Sequence, residues 1–92
     1  MHFRSDEVGT FTRIFDEVKS NIRNFPGCSH LKLMRDHQDP DIFYTYSKWE
    51  SQQHLDSYRH SELFEDTWRK TKALFADKPM AFSLDEFGEE VV

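Results

Sequence analysis

The fold is decided by residues 28–50, CSHLKLMRDHQDPDIFYTYSKWE. In this stretch, two runs whose side chains alternate between two faces flank a turn. The period of two in residues 28–36 predicts a strand that carries Cys28, His30, Lys32 and Met34 on one face. Pro40 lies between two Asp residues, which is typical of a turn, so we expect a hairpin. Residues 42–50 predict a second strand, with Tyr44 and Tyr46 on one face and Phe43 and Trp49 on the other. Both faces are partly apolar, so we expect both sides of the sheet to be covered.

Helices are predicted on either side of this hairpin. Apolar residues at spacings of three and four predict a helix over residues 8–25, with Ser5 as its N-cap and Pro26-Gly27 as its end. After the hairpin, Ser51 is expected to cap a short helix. Ser61 is expected to cap a second helix that runs to Ala76.

The element order predicts an α+β fold. Residues 1–4 read as a short first strand and residues 80–87 as a last one, in which Met80, Phe82 and Leu84 alternate with smaller or polar residues. The order strand, helix, strand, strand, helix pair, strand is that of the ferredoxin-like split βαβ sandwich, with helices on one face of an antiparallel four-stranded sheet. A second copy would cover the other face and form a dimeric α+β barrel, an eight-stranded barrel across a homodimer.

Length and composition exclude several classes of protein. Ninety-two residues favour one domain, predicted over residues 1–88 with a tail at 89–92. The 12 basic residues are scattered among 17 acidic ones, so we expect no nucleic-acid partner. No apolar run approaches the roughly 20 residues of a membrane helix, no signal peptide is recognised, and Cys28 is the only cysteine. We therefore expect a cytoplasmic protein with no membrane association.

Four segments together resemble the antibiotic biosynthesis monooxygenase domain of the dimeric α+β barrel group. They are Phe25-Pro26-Gly27-Cys28, Asp39-Pro40, residues 46–51 (YSKWES) and residues 55–64 (LDSYRHSELF). The resemblance spans residues 8–87. Relatives have a longer first strand. We therefore expect either that the native chain starts upstream of Met1 or that residues 88–92 fill the place in the sheet that the short first strand leaves open.

The resemblance implies an oxidoreductase that oxygenates a quinol or another electron-rich aromatic with O2, without metal or flavin cofactor. Such a reaction needs a dry apolar pocket, a base and a donor for the developing oxyanion. We predict His60 and Tyr58 as catalytic residues. The predicted substrate-binding residues are His30, Tyr46, Trp49, Phe64 and Trp68.

Other interpretations stay open at this point. Trp49 and Trp68 could be packing anchors, and His30 and His60 could be ordinary structural or surface residues. A non-catalytic ligand-binding or stress-response dimer is the alternative function, because one fold hosts several roles. Haem degradation is disfavoured, since relatives with that activity carry His where Trp68 stands. No metal site is predicted, because the spacing of His2, His37 and His54 does not suit one.

Overall fold

The computed structural model describes residues 1–85, and its regular elements follow the predicted order. A short 3-10 helix, Ser5–Glu7, leads into α1, Val8–Arg23. The strands are β1, Cys28–Arg35, and β2, Phe43–Trp49, and they are followed by α2, Gln52–Arg59, and α3, Glu62–Lys72. The predicted α+β class with an antiparallel sheet is confirmed.

The hairpin contains one irregularity, which changes the face on which Cys28 lies. Leu33 pairs with Thr45 and His30 with Lys48, but Cys28 pairs with Trp49, so the register shifts between Cys28 and His30. This bulge turns Cys28 to the face that the helices cover, where its side chain is buried. The prediction that Cys28 shares a face with His30 is therefore wrong.

The N-terminal segment lies between the start of β2 and the chain that follows α3. His2 forms a single bridge with Ile42, and Phe3 forms one with Phe75. Backbone hydrogen bonds support both sides, including Phe43 N–H to the Met1 carbonyl at 2.8 Å and Ala76 N–H to the His2 carbonyl at 2.8 Å. Because residues 74–76 face this segment, α3 ends at Lys72, and the prediction of a helix through Ala76 is wrong in its last turn.

The core forms where these segments meet α1. Phe3 is fully buried and stacks on Phe11 with ring centroids 4.1 Å apart. Phe43 and Leu74 complete the buried cluster, and Phe15 is among the partly buried residues that pack against it. The core thus joins the N-terminal segment, α1, β2 and the end of the α3 region.

Two of the three predicted helix caps are present. The Ser51 hydroxyl accepts from the His54 N–H, and the Ser61 hydroxyl accepts from the Phe64 N–H, each at 3.1 Å. Ser5 does not cap α1, because its hydroxyl donates to the Asp41 carboxylate and the 3-10 turn precedes the helix. The Ser5 bond instead ties the start of the helical region to the hairpin turn.

Residues 80–85, the described part of the predicted last strand, pair with no other strand of the described chain. These residues have no regular secondary structure, and Met80, Phe82 and Leu84 each expose about 78% of their surface. The structure holds a two-stranded sheet and the two single bridges where the sequence predicts four strands. The predicted end of the last strand at residues 86–87 and the predicted tail at 89–92 lie outside the described residues. Over the described part of the chain, every helix is too short or too polar to span a bilayer.

A glycine substitution tests the turn that leads from α1 into the hairpin. Gly27 has φ +87°, and a Cβ there would collide with the His54 side chain. We expect Gly27→Ala to lower the free energy of unfolding by about 1–3 kcal/mol, measured by urea denaturation. Gly9→Ala is the matched control, because Gly9 lies in α1 with open space around it and should gain roughly 0.5–1 kcal/mol.

A third variant separates the two causes of the Gly27 effect. Adding His54→Gly to Gly27→Ala removes all the colliding atoms, the His54 Cβ included, and leaves the backbone strain, so part of the lost stability should return when the double variant is compared with His54→Gly alone. Equal unfolding midpoints for the Gly27→Ala and Gly9→Ala proteins would contradict the constraint at Gly27.

Candidate substrate site

An aromatic cluster lies at the end of β2, beneath α2 and α3. We define it as Phe25, Trp49, Tyr58, Phe64 and Trp68. Trp49 stacks on Tyr58 at 5.0 Å, Tyr58 meets Phe64 edge-on at 5.2 Å, and Phe64 stacks on Trp68 at 6.0 Å. Phe25 contacts Trp49 and Tyr58, at 6.3 and 5.4 Å. The structure thus brings together four predicted site residues and adds Phe25.

The break between α2 and α3 positions two of these rings. The Ser61 hydroxyl donates to the Tyr58 carbonyl at 2.5 Å and accepts from the Phe64 N–H. One serine therefore ends α2 and begins α3, and it fixes the direction of both helices. As a result, Tyr58 and Phe64, six positions apart in the chain, meet ring to ring.

Tyr58 is the most strongly perturbed titratable group of the cluster. Burial raises the pKa of its phenol to about 12, and the nearby Cys28 thiol adds to the shift. Its hydroxyl forms no hydrogen bond with any residue in the described range 1–85. Tyr58 therefore stays a neutral phenol at ordinary pH, with an O–H that can donate to a bound molecule.

Trp49 differs from Tyr58 because its polar atom is already in use. The Trp49 indole Nε1–H donates to the Ser47 hydroxyl at 3.0 Å. Its contribution to the cluster is the ring face that stacks on Tyr58. Of these two stacked rings, Tyr58 is therefore the one with a polar hydrogen to offer a bound molecule.

His60 lies apart from the aromatic cluster. It caps the C-terminus of α2, is exposed, and its Nδ1 lies 2.8 Å from the Asp56 carbonyl. The imidazole thus bends back over its own helical turn. Within residues 1–85 no ring contact joins it to Tyr58, so the structure does not bring the two predicted catalytic residues together.

His30 and Tyr46 form a separate pair on the opposite face of the sheet. Their rings meet edge-on at 5.6 Å, and both residues are half-buried. No helix of the described chain covers this face, and Tyr44 on it is 50% exposed. The predicted substrate-binding residues are therefore divided between the two faces of the hairpin.

Sequence reasoning did not identify a cleft between α1 and β1. This α1–β1 cleft has a volume of about 310 Å³. Its walls are three apolar residues from the two elements, three polar residues of α1 and the residue that caps its C-terminus: Phe15, Leu31, Leu33, Lys19, Ser20, Arg23 and Asn24. The sequence places Phe15, Lys19 and Arg23 on one side of the helix, at intervals of four residues, but it does not show which residues lie opposite them.

One group of side chains has a spacing that would admit a cation. Ligand atoms of His2, Asp39 and Asp41 lie within 4.8 Å of one another. His2 Nδ1 also lies 2.6 Å from the Asp77 carboxylate, and Asp41 accepts from Ser5. Local spacing could not reveal this group, because it joins residues far apart in the chain. In the structure these polar groups already bond to one another, and we assign no metal to them.

Comparisons with known proteins agree with this architecture. The family model for antibiotic biosynthesis monooxygenase matches residues 1–70. A solved structure named antibiotic biosynthesis monooxygenase superimposes with a TM-score of 0.87, at 18% identity, covering 95% of this chain and 92% of that one. A conserved protein from Methanosarcina mazei gives a TM-score of 0.80, at 14% identity, with coverage of 84% and 76%.

A protein from Pseudomonas aeruginosa gives a TM-score of 0.73, at 21% identity, with coverage of 84% and 78%. Among curated proteins, no significant match was found. At these identities the structural similarities establish the fold, and the family model establishes the family. The chain belongs to the antibiotic biosynthesis monooxygenase family.

Proposed function

We propose that this protein is a cofactor-independent monooxygenase that oxygenates a quinol or another electron-rich aromatic. The observation that supports this most directly is the neutral Tyr58 phenol, whose O–H is unbonded among the described residues within a cluster of aromatic rings. The rings offer faces against which a flat substrate can stack. The phenol offers a hydrogen bond to the oxyanion that the reaction must form.

The reaction needs only the substrate and O2. Removal of a hydroxyl proton gives an anion that passes one electron to O2, and the two radicals combine into a hydroperoxide. Loss of water then leaves the quinone, so one oxygen atom enters the ring and the other leaves as water with two substrate hydrogens. In this proposal Tyr58 holds the substrate oxyanion, and a histidine removes the proton.

The base is proposed to be His60 or His30. His60 follows Tyr58 at the helix junction, and its ring would have to turn from the Asp56 carbonyl toward the aromatic cluster to act there. By contrast, His30 lies on the open face of the sheet and would act on a substrate bound beside Tyr46 rather than Tyr58. The variants His60→Gln and His30→Gln distinguish them, because only loss of the base should remove a pH-dependent step from turnover. Trp49, Phe64 and Trp68 are proposed to contact a substrate bound at the aromatic cluster, and Tyr46 one that is bound on the open face beside His30.

Oxygen uptake tests the function. Purified protein is added to a panel of hydroquinones, and oxygen consumption is followed together with the product mass, which should show one oxygen atom gained and two hydrogen atoms lost. Hydroquinone binding with uptake no faster than in buffer alone would contradict the enzyme and support the alternative, a ligand-binding module. Hemin titration without a Soret shift is expected, since Trp68 stacks on Phe64 where a haem-degrading relative would need an imidazole.

A homodimer is part of the same proposal. Met80, Phe82 and Leu84 form an exposed apolar stripe, and Tyr44 and Met34 leave apolar surface open on the sheet. A second copy that covers these surfaces would form the eight-stranded barrel that the sequence predicts. A cytoplasmic location stays a prediction.

Charge placed on the apolar stripe tests the dimer. We expect the protein to sediment at about twice the 11.1 kDa chain mass. Phe82→Asp should weaken association by at least about tenfold, because it buries a carboxylate in place of a ring. Ser83→Asp adds the same charge one residue away, off the stripe, and should have a smaller effect. Sedimentation of the unaltered chain as a monomer at micromolar concentration would contradict the proposal.

A further inference from the structure

The α1–β1 cleft combines an apolar floor with a cation that pairs with no carboxylate among residues 1–85. Leu31 and Leu33 extend from β1 toward α1, and Phe15 of α1 closes one side; all three are half-buried. The cleft is open to solvent on one side, and its volume of about 310 Å³ leaves room for a small ligand that lies against the apolar floor. The cleft therefore suits a small, partly apolar ligand.

The two cations that line the cleft differ in their availability. Lys19 pairs with the Asp16 carboxylate at 2.6 Å. Arg23 uses one nitrogen, Nη1, to donate to the Cys28 carbonyl at 2.7 Å, and within residues 1–85 no carboxylate lies in ion-pair distance of it. The bond to Cys28 holds the guanidinium in place and leaves its other donors available. In a chain of net charge −5, this makes the cleft a locally cationic position.

We propose that the α1–β1 cleft binds a flat aromatic carboxylate. The planar guanidinium of Arg23 matches a carboxylate in two parallel hydrogen bonds, which a point charge such as Lys cannot provide. Phe15, Leu31 and Leu33 supply the apolar surface that the ring of such a ligand would cover. A small inorganic anion would leave that apolar surface exposed.

The cleft adjoins the aromatic cluster through the hairpin. Leu31 pairs with Ser47, and the Ser47 hydroxyl accepts from the Trp49 indole. A ligand held by Arg23 would therefore lie beside the surface that leads to Tyr58. The identification of this ligand as a substrate, a hydroxylated aromatic carboxylate, rests on the proposed function; its binding in the cleft does not.

Binding of 2-naphthoate, with 2-naphthalenemethanol as the uncharged analogue, tests the proposal by calorimetry and by amide chemical-shift mapping. We expect 2-naphthoate to bind more tightly than the alcohol and to shift residues of α1 and β1. Arg23→Gln should lower the affinity for 2-naphthoate by about tenfold and leave the affinity for the alcohol unchanged. Arg69→Gln is the matched control, because Arg69 lies on α3, pairs with Asp66, and should not affect either ligand.

Further variants keep the test decisive if Arg23→Gln disturbs the turn at Cys28. Arg23→Lys keeps the charge and should show a smaller loss, and Leu31→Gln should weaken both ligands. Equal affinities of the unaltered protein for the acid and the alcohol would overturn the proposal. So would 2-naphthoate shifts confined to the aromatic cluster, or binding of inorganic phosphate as tight as that of 2-naphthoate.

The outcomes also separate this inference from the proposed function. If 2-naphthoate binds specifically and no hydroquinone causes oxygen uptake, 1,4-dihydroxy-2-naphthoate included, the proposed binding site stands and the proposed enzymatic function is contradicted. If uncharged hydroquinones cause oxygen uptake and binding of 2-naphthoate does not depend on Arg23, the enzymatic function stands and the binding site is contradicted.

Discussion

Phe3→Ala is expected to lower the free energy of unfolding by about 3–5 kcal/mol, the usual cost of removing a buried phenylalanine ring. Phe3 is fully buried, and its ring lies 4.1 Å from Phe11, 5.2 Å from Phe75 and 6.0 Å from Phe43. These three partners belong to α1, to the segment after α3 and to β2. Removing the ring would therefore open a cavity where three parts of the fold meet.

Urea denaturation at a fixed protein concentration measures this loss, because association would otherwise change the apparent stability. Phe3→Leu keeps most of the buried volume and should lose less. Arg4→Ala, a change at an exposed neighbouring residue, should stay within about 0.5 kcal/mol of the unaltered chain. A loss of less than about 1 kcal/mol for Phe3→Ala would contradict the position of Phe3 at the centre of the core.

The position of Phe3 shows where prediction from the sequence succeeds and where it stops. The apolar period of α1, the alternation in β1 and β2, and the caps at Ser51 and Ser61 are local signals, and all are present in the structure. The pairing of Phe3 with Phe75 joins residues at opposite ends of the described chain. Helical periodicity alone therefore extended α3 to Ala76, into residues that instead pair with the N-terminal segment.

The candidate site shows the same division. Tyr58, Phe64 and Trp68 were predictable as a group because they share one face across α2 and α3. Tyr46 and Trp49 are three positions apart in one strand. Because side chains alternate along a strand, the two lie on opposite faces and cannot line one pocket. Sequence reasoning had assigned these two residues to opposite faces and still placed both in one site.

The α1–β1 cleft could not be recognised from charge alone. Lys19 and Arg23 read as the solvated side of an amphipathic helix, which is the usual role of such residues. Only the three-dimensional structure shows that β1 places Leu31 and Leu33 opposite them, and that Arg23 binds the Cys28 carbonyl.

Tyr58→Phe should lower kcat/KM for a hydroquinone by about 10²–10³, the usual cost of removing one preorganised donor to an oxyanion. The ring contacts with Trp49 and Phe64 do not involve the hydroxyl, so the fold should be retained. Oxygen uptake and circular dichroism measure the two quantities. Tyr44→Phe is the matched control, because that phenol lies on the open face, donates to Asp36, and should change turnover less than about twofold.

The pH dependence of turnover distinguishes a donor from a base. With a pKa of about 12, the Tyr58 phenol is protonated at every pH well below that value, and only its protonated form can donate. The unaltered protein and Tyr58→Phe should therefore show the same shape of pH–rate profile up to about pH 10 and differ by a constant factor. A base of this pKa would instead act as phenolate, so the rate of the unaltered protein would rise tenfold per pH unit and Tyr58→Phe would lose that rise. Observing that pattern would assign Tyr58 the role proposed for a histidine, and equal rates for the two proteins would remove Tyr58 from the site.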